Sequence, residues 1–326
     1  MVCAAYNADF DGDTMSVHVP LSEAAQLEAE KIMSSNKNIL KPGSGNLVAS
    51  IDKLDIILGC FWMTKSVDGE KGEGKYFEDP TSAIVGYDFG EIAFRAKIKV
   101  LPPVGSPKYA EFNNTVFETT LGRILFNNVL PETYPFINAE VDRKKMGIII
   151  DNLIEKYGIE NIPAIMDDIK NFGFKYATNS GVTWGIDDVR IPEEKNAVIN
   201  KAKEKAGAIL SQFNEGLISE EERLRKNIEI WHAAKSEVEK LIPGTLSKKG
   251  SVYDMVNSGA RGSTSQITQM VGMKGLIQNT AGATIEFPIL SCSKEGLSPL
   301  EYFITTHGSR KGLTDTALNT AKAGYL

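Results

Sequence analysis

Two apolar stripes between residues 193 and 241 constrain the fold of this chain more than any other feature. The first stripe repeats every three or four positions and consists of Ile199, Ala202, Ala206, Ile209 and Phe213. After a break at residues 214–216, the second consists of Leu224, Ile228, Trp231 and Val238. Such stripes bury one face of each helix, so they predict an antiparallel, coiled-coil hairpin from about Glu193 to Leu241. Packing alone accounts for the stripes, whereas the tip offers a docking point for other proteins at Gly216, Leu217 and Ile218.

Capping boxes mark three helix starts, because each pairs a serine with an acid or amide three residues later. The pairs are Ser219 with Glu222, Ser263 with Gln266, and Ser298 with Glu301. The last pair has proline at the first helical position and predicts a long helix to the end of the sequence. Each glycine inside that helix costs about 1 kcal/mol relative to alanine. A helix with these glycines could bend at Gly308, Gly312 and Gly324.

The same helix carries a small, smooth face that could lie flush against stacked bases. Its members are Thr316, Ala317, Thr320 and Ala321. Arg310 and Lys311 add positive charge nearby, which favours nucleic-acid binding. The alternative is a surface helix of poor intrinsic propensity.

Shorter patterns predict the remaining elements. Loose alternation indicates a strand over 15–19, and Ser22 caps a helix to about Ser34 whose apolar side carries Leu27, Ile32 and Met33. Further helices are expected over 52–64 and, as a pair broken at Gly158 and Pro163, over 142–176. Regular alternation predicts a half-buried strand over 94–100. The fold class is therefore α+β, with several structural units.

Composition excludes several classes of protein. With 326 residues and 42% hydrophobic content, the chain can form two to four units. A net charge of −6 and a pI near 5.4 argue against a free-standing nucleic-acid binder. Neither a membrane span nor a signal peptide is recognisable, so a cytoplasmic location is expected. Three scattered cysteines predict buried free thiols and neither a disulfide framework nor a paired-cysteine zinc site: Cys3, Cys60 and Cys292.

The strongest chemical signal is the septet from Asn7 to Asp13. Asp9, Asp11 and Asp13 alternate, so in an extended loop they share one side, while Gly12 lets the backbone bend tightly. Crowded carboxylates repel each other, and a hard divalent cation relieves that repulsion. Mg²⁺ suits the set because it keeps coordination positions for water and substrate phosphates.

Three other interpretations compete for the septet. A calcium-binding loop counted from Asp9 requires glycine and glutamate where Thr14 and Pro20 stand, so that interpretation fails. A haloacid-dehalogenase-type phosphotransferase would use Asp9 as nucleophile, with Asp11, Thr14 and the later pair at residues 187–188, although the threonine is one place late. A solvated acidic turn is the third interpretation.

A second candidate is Arg261, which lies between Gly259 and Gly262 in the run from Gly259 to Ser263. Glycines let the backbone approach a ligand closely, and a guanidinium is a good phosphate clamp. An exposed loop arginine without a ligand is the common alternative.

Several runs in order carry a resemblance to a known family. They are the septet, Val17 to Ser22, Gly259 to Ser263, Gly272 to Leu276, Thr306 to Gly312, Asp315 to Ala317 and Gly324 to Leu326. Together they resemble the largest catalytic subunit of multisubunit DNA-directed RNA polymerases in its bacterial β′ form, across essentially the whole chain.

The resemblance implies roles for the candidate residues in two-metal nucleotidyl transfer. Asp9, Asp11 and Asp13 would hold the catalytic Mg²⁺, and Asn7 would read the sugar of the incoming nucleotide. Arg261 would approach its triphosphate. The final helix would be the first part of the bridge helix, with Thr320 and Ala321 beneath the template base.

The resemblance also implies an organisation and partners. Residues 1–50 would hold the catalytic loop and part of a double-psi β-barrel, 51–178 the pore region, 179–250 the funnel region with the rim hairpin, and 251–326 the cleft region. The partners would be the β, α and ω subunits, the remainder of β′, template DNA, the RNA transcript, NTPs, a sigma factor and secondary-channel factors, with no membrane. On this view the sequence is an excerpt that is inactive alone. A non-catalytic fragment that docks factors through the hairpin tip is the alternative from another class.

Three positions depart from the family pattern. They are Thr14, where glutamine is usual, and Thr268 and Lys274, where arginine is usual. The departures weaken detailed statements about nucleotide contacts but leave the metal site unaffected.

Overall fold

The computed structural model describes residues 1, 3–49 and 51–325, and its regular structure is mostly helical. The α-helices are α1 (Cys3–Tyr6), α2 (Glu23–Glu28), α3 (Leu54–Thr64), α4 (Pro80–Asp88), α5 (Leu121–Val129), α6 (Arg143–Tyr157), α7 (Ile162–Ser180), α8 (Lys195–Asn214), α9 (Glu220–Thr245), α10 (Ser251–Asn257), α11 (Thr264–Val271) and α12 (Pro299–Tyr325). A π-helical turn continues α2, and three 3-10 helices complete the set: Ala29–Met33, Pro107–Phe112, Ile159–Asn161 and Ile186–Asp188.

One small sheet contains the strands β1 (Tyr76–Phe77), β2 (Lys97–Val100) and β3 (Phe117–Thr120) in that order. β1 is parallel to β2, and β2 is antiparallel to β3 with Lys97 opposite Thr120. Ile98 and Val100 of β2 are buried. The predicted strand over 94–100 is therefore confirmed, although it begins three residues later. The α+β class is confirmed as well.

The chain divides into two compact units. The first contains residues 1–182 and 254–261, and the second contains 183–253 and 262–326. The segment 254–261 thus belongs to the first unit, although the chain on both sides of it belongs to the second.

The first unit is built around the packing of α3 against α7. An added Cβ on Gly59 would lie 1.9 Å from the Gly173 carbonyl oxygen, and one on Gly173 would lie 2.5 Å from the Ile56 carbonyl oxygen. Glycine at these positions lets the two backbones touch. Buried side chains such as Ile57, Met63, Met146 and Ile169 extend this core.

Helix boundaries in this unit follow local signals. The predicted pair over 142–176 is confirmed as α6 and α7. Gly158, with φ 73°, ends α6, and Pro163 lies in the first turn of α7. Proline is tolerated there because the first helical N–H groups have no intrahelical acceptor.

The second unit contains the predicted hairpin, formed by α8 and α9. Ala202, Trp231, Ala234 and Val238 are buried between the helices and against Met273. The stripe residues nearer the tip, Phe213 among them, are only half-buried.

The amino-terminal part corrects two predictions. Residues 13–21 form no strand, and Met15, Val17 and Val19 are 56%, 87% and 66% exposed. A strand needs a neighbour for its backbone hydrogen bonds, and the described part of residues 1–49 offers only an isolated bridge between Leu40 and Leu47. The helix predicted after Ser22 forms, and Ser22 Oγ accepts a hydrogen bond from Ala25 N at 3.2 Å, but its expected apolar side is exposed.

The cysteines are free, as predicted. Cys60 and Cys292 are buried, whereas Cys3 is only half-buried, which corrects the expectation for that residue. Among the described helices, none has the length and apolar character needed to cross a membrane.

Candidate active site

The acidic loop begins where α1 ends. Ala8 N donates to the Cys3 carbonyl at 2.9 Å, and Asn7 between them has φ 49°. This is the six-to-one bond of a helix-terminating motif whose left-handed position favours glycine or asparagine. Asn7 therefore has a backbone role in turning the chain into the loop, and its side chain is exposed.

The structure brings the three predicted carboxylates together. One carboxylate oxygen from each of Asp9, Asp11 and Asp13 lies within 4.8 Å of the others, and all three residues are exposed. Asp9 N donates to Asp13 Oδ2 at 3.1 Å, which folds the loop back on itself. Gly12, with φ 124°, adopts a backbone conformation that other residues rarely reach.

This donor set fits a magnesium ion. The three carboxylate oxygens are hard donors within 4.8 Å of one another, and all three residues are exposed, so water or a phosphate can reach them. Their mutual repulsion favours any cation that binds among them.

Arg261 ends the segment that returns to the first unit. Its side chain is exposed, and its N–H donates to the Met255 carbonyl at 3.2 Å. Gly259, with φ 74°, packs so closely that an added Cβ would lie 2.9 Å from Arg143 Cβ. The glycine is therefore required by a close approach within the protein.

The predicted capping box at the start of α12 is complete. Ser298 N donates to Glu301 Oε2 at 3.0 Å, and Glu301 N donates to Ser298 Oγ at 3.3 Å. The Glu301 carboxylate also accepts from Leu290 N, Ser291 N and Ser291 Oγ. Burial alone would raise the pKa of Glu301, but these hydrogen bonds outweigh it and hold the pKa below its usual value.

The first part of α12 is partly buried, and Gly308 lies where a Cβ would be 2.9 Å from Ile277 Cγ2. The later part is exposed over residues 316–324. Thr320 Oγ1 donates to the Thr316 carbonyl at 2.5 Å, and Thr316 Oγ1 donates to the Gly312 carbonyl at 2.8 Å. These bonds satisfy the hydroxyls within the helix.

The other predicted contacts on α12 are also on its surface. Ala317 and Ala321 are exposed, as is Arg310. Lys311 pairs with Asp315 at 2.7 Å, so part of its charge is neutralised within the helix. The four-residue spacing of this pair was readable in the sequence.

The hairpin tip is a well-defined turn. Leu217 N donates to the Gln212 carbonyl and Gly216 N donates to the Phe213 carbonyl, both at 2.9 Å. Gly216 has φ 76°, so the two bonds form a Schellman motif. Leu217 is 69% exposed, whereas Ile218 is half-buried.

The positions that depart from the family pattern have different surroundings. Thr14 is exposed. Thr268 is buried, and its hydroxyl donates to the Thr264 carbonyl at 2.8 Å. Lys274 is half-buried, and burial lowers its pKa.

The predicted site residues therefore fall in both units. The aspartates, Asn7 and Arg261 belong to the first, whereas the α12 residues and the hairpin tip belong to the second.

Sequence reasoning missed the ion pair of Lys65 with Asp254, whose partners are 189 positions apart. No local spacing could have revealed it.

The comparisons with known proteins match the sequence of the chain to one family. Four family models match in succession, described as RNA polymerase Rpb1 domain 2 at residues 1–35, domain 3 at 38–189, domain 4 at 200–308 and domain 5 at 296–326. The chain belongs to the family of the largest subunits of RNA polymerase.

The curated relatives specify the bacterial form. The chain is 45% identical to the DNA-directed RNA polymerase subunit β′ of Nocardioides sp. and 45% to that of Desulforamulus reducens. It is 46% identical to that of Pelotomaculum thermopropionicum. All of the chain is aligned in each case, and it spans 26%, 27% and 27% of these relatives. The predicted resemblance is confirmed, and the matches give the phosphotransferase alternative no support.

Proposed function

We propose that the chain forms part of the active centre of a DNA-dependent RNA polymerase. In that centre, Asp9, Asp11 and Asp13 hold the Mg²⁺ ion used to transfer nucleotides from NTPs to the RNA 3′ end. The observation that carries the proposal is the convergence of three carboxylate oxygens within 4.8 Å in a chain of this family.

The residues of the chain have separable tasks in this reaction. Mg²⁺ held by the three aspartates would lower the pKa of the RNA 3′-hydroxyl and neutralise phosphate charge. The aspartates position that charge, and phosphoryl transfer depends mainly on such positioning and neutralisation. Asn7 binds the sugar of the incoming nucleotide, and Arg261 binds its triphosphate through charge-assisted hydrogen bonds.

The α12 helix is proposed as the start of the bridge helix. Thr320 and Ala321 support the template base, and Arg310, Lys311, Thr316 and Ala317 contact nucleic acid. The hydroxyls of Thr316 and Thr320 support this role. They donate to backbone carbonyls of α12 and so leave the surface of the helix less polar.

The proposal includes partners. The chain works with the remainder of β′, the β, α and ω subunits, template DNA and the transcript, and residues 1–50 contribute to a double-psi β-barrel. Phe10, Val17 and Leu21 support this, since they are 93%, 87% and 91% exposed beside the acidic loop. Apolar side chains exposed to this extent over one short stretch of chain are of the kind that a partner surface covers.

Iron-directed cleavage tests the metal site. A reconstituted polymerase carrying this sequence is loaded with Fe²⁺ in place of Mg²⁺, and hydroxyl radicals are generated. The proposal predicts backbone cleavage near residues 9–13 that Mg²⁺ suppresses and that Asp11→Asn removes. Asp167→Asn, which changes an exposed aspartate on α7, serves as the control and should leave the cleavage intact. Cleavage that is absent near the loop, or unaffected by Asp11→Asn, would refute the site.

A second function concerns the hairpin. The exposed Leu217 at a Schellman turn favours docking of secondary-channel and other regulatory factors at residues 216–218. This function requires none of the aspartates.

A further inference from the structure

A buried ion pair lies at the start of the segment that carries Arg261. Lys65 follows α3 directly, and its Nζ donates to a carboxylate oxygen of Asp254 in α10. The two side chains are 5% and 3% exposed. Burial raises the pKa of Asp254, against the opposing hydrogen bond and charge of Lys65.

Such a pair is poorly explained by stability alone. Two charges lose much of their hydration when they are buried, and a well-packed apolar pair of similar volume is often as stable. The ion pair instead fixes the relative position of two chain segments, because its hydrogen bond has a preferred direction. The element held in this way is the segment from Asp254 to Arg261.

That segment is separated in sequence from the rest of the first unit. Residues before 254 and after 261 belong to the second unit, so the segment must be fixed to the first unit by its own contacts. Asp254 supplies the first of these contacts. Arg143 N supplies another by donating to the Ser258 carbonyl at 2.9 Å, and Ala260 is buried in the core.

A short path connects the ion pair to the arginine. Met255, the next residue after Asp254, packs against the core of the first unit. Its carbonyl accepts the hydrogen bond from Arg261 N at 3.2 Å. Ser258 N donates to the Asp254 carbonyl at 3.1 Å, and Ser258 Oγ accepts from Ala260 N at 3.2 Å. A shift of Asp254 would therefore move the backbone from which the exposed Arg261 side chain extends.

We infer that Lys65 and Asp254 are positioning residues for Arg261. The pair fixes the segment 254–261 so that the guanidinium meets the triphosphate of an incoming NTP. This inference rests on the proposed function, in which Arg261 binds that triphosphate. Neither Lys65 nor Asp254 touches the substrate.

Steady-state addition of a single nucleotide by reconstituted polymerase tests the inference. Asp254→Asn should raise the KM for NTP about tenfold while kcat changes less than about twofold, the pattern of lost ground-state binding. In an Arg261→Ala background, Asp254→Asn should cause no further increase, because residues that act through one contact are not additive. The control is Lys75→Met, which breaks the exposed ion pair with Glu91 and should leave KM unchanged.

A paired replacement separates positioning from folding. Lys65→Met together with Asp254→Leu removes both charges and keeps the volume filled, so assembly should be retained. KM should still rise about tenfold, since the apolar pair has no directional bond. This variant decides the question if Asp254→Asn does not assemble.

The outcomes distinguish this inference from the proposal on which it rests. If Arg261→Ala leaves KM unchanged, the triphosphate contact is wrong, and the positioning role is wrong with it. If Arg261→Ala raises KM but the paired replacement has a normal KM, only the positioning role is overturned. Full additivity of Asp254→Asn with Arg261→Ala would overturn it as well.

Discussion

Among the carboxylates that the structure describes, two environments contrast clearly. Those of Asp9, Asp11 and Asp13 converge in an exposed loop, whereas that of Glu301 is buried and saturated with hydrogen-bond donors. An exposed, converging set can accept a cation, while a saturated carboxylate serves to hold backbone in place. The surroundings therefore separate two roles that residue type alone does not.

Glu301 gives a prediction at the scale of one residue. Its folded-state pKa lies below the usual value, so its stabilisation is present above the unfolded pKa and is lost as the pH falls through the folded pKa. We expect the first turn of α12 to lose hydrogen-exchange protection on acidification over that range. Glu301→Gln should weaken this turn by about 1 kcal/mol at neutral pH and remove most of the pH dependence. An unchanged acid response in Glu301→Gln would contradict this role.

At the scale of elements, the contact between α3 and α7 depends on glycine. Gly59→Ala would place a Cβ 1.9 Å from the Gly173 carbonyl oxygen, so the helices must separate. We expect the free energy of unfolding to fall by about 3 kcal/mol or more. Hydrogen exchange of the α3 and α7 amides would measure this decrease. The matched control is Gly147→Ala in α6, where an added Cβ meets nothing within 4 Å and higher helix propensity should be neutral or stabilising. Equal protection in the two variants would show that the close contact is not required.

The hairpin tip gives a second prediction at this scale. Leu217→Asp should reduce the affinity of a secondary-channel factor for the polymerase at least about tenfold, as expected for an exposed apolar anchor. Leu210→Asp is the control, since Leu210 is also exposed but lies on the body of α8. Factor binding that survives Leu217→Asp, measured by competition with a labelled factor, would place the docking surface elsewhere.

The success of sequence reasoning differed between kinds of element. The hairpin and the caps at Ser219 and Ser298 were predicted because a helix and its cap are written within a few neighbouring residues. The strand over 15–19 was wrong because a strand depends on a partner that local sequence does not specify. The spacing identified the three aspartates, but they converge because the loop folds back through the bond from Asp9 N to Asp13 Oδ2 and not because it is extended. The ion pair of Lys65 and Asp254 depends on the tertiary fold.

At the scale of the whole molecule, the predicted site residues belong to two separate units, and the chain spans about a quarter of the length of its curated relatives. Its net charge of −6 provides little attraction for nucleic acid. We therefore expect the purified chain alone to extend no RNA primer on template DNA, measured by gel analysis of labelled RNA. Addition of the proposed partner subunits and the remainder of β′ should restore extension. Primer extension by the chain alone would contradict this account.

The most direct test of the central claim is RNA synthesis by a reconstituted polymerase in which Asp9, Asp11 and Asp13 are all alanine. The account predicts normal assembly and a rate of nucleotide addition at the background of the assay. A control with alanine at three exposed aspartates of α6 and α7, namely Asp151, Asp167 and Asp168, should keep its activity. Normal synthesis by the first variant would contradict the assignment of the metal site to these carboxylates.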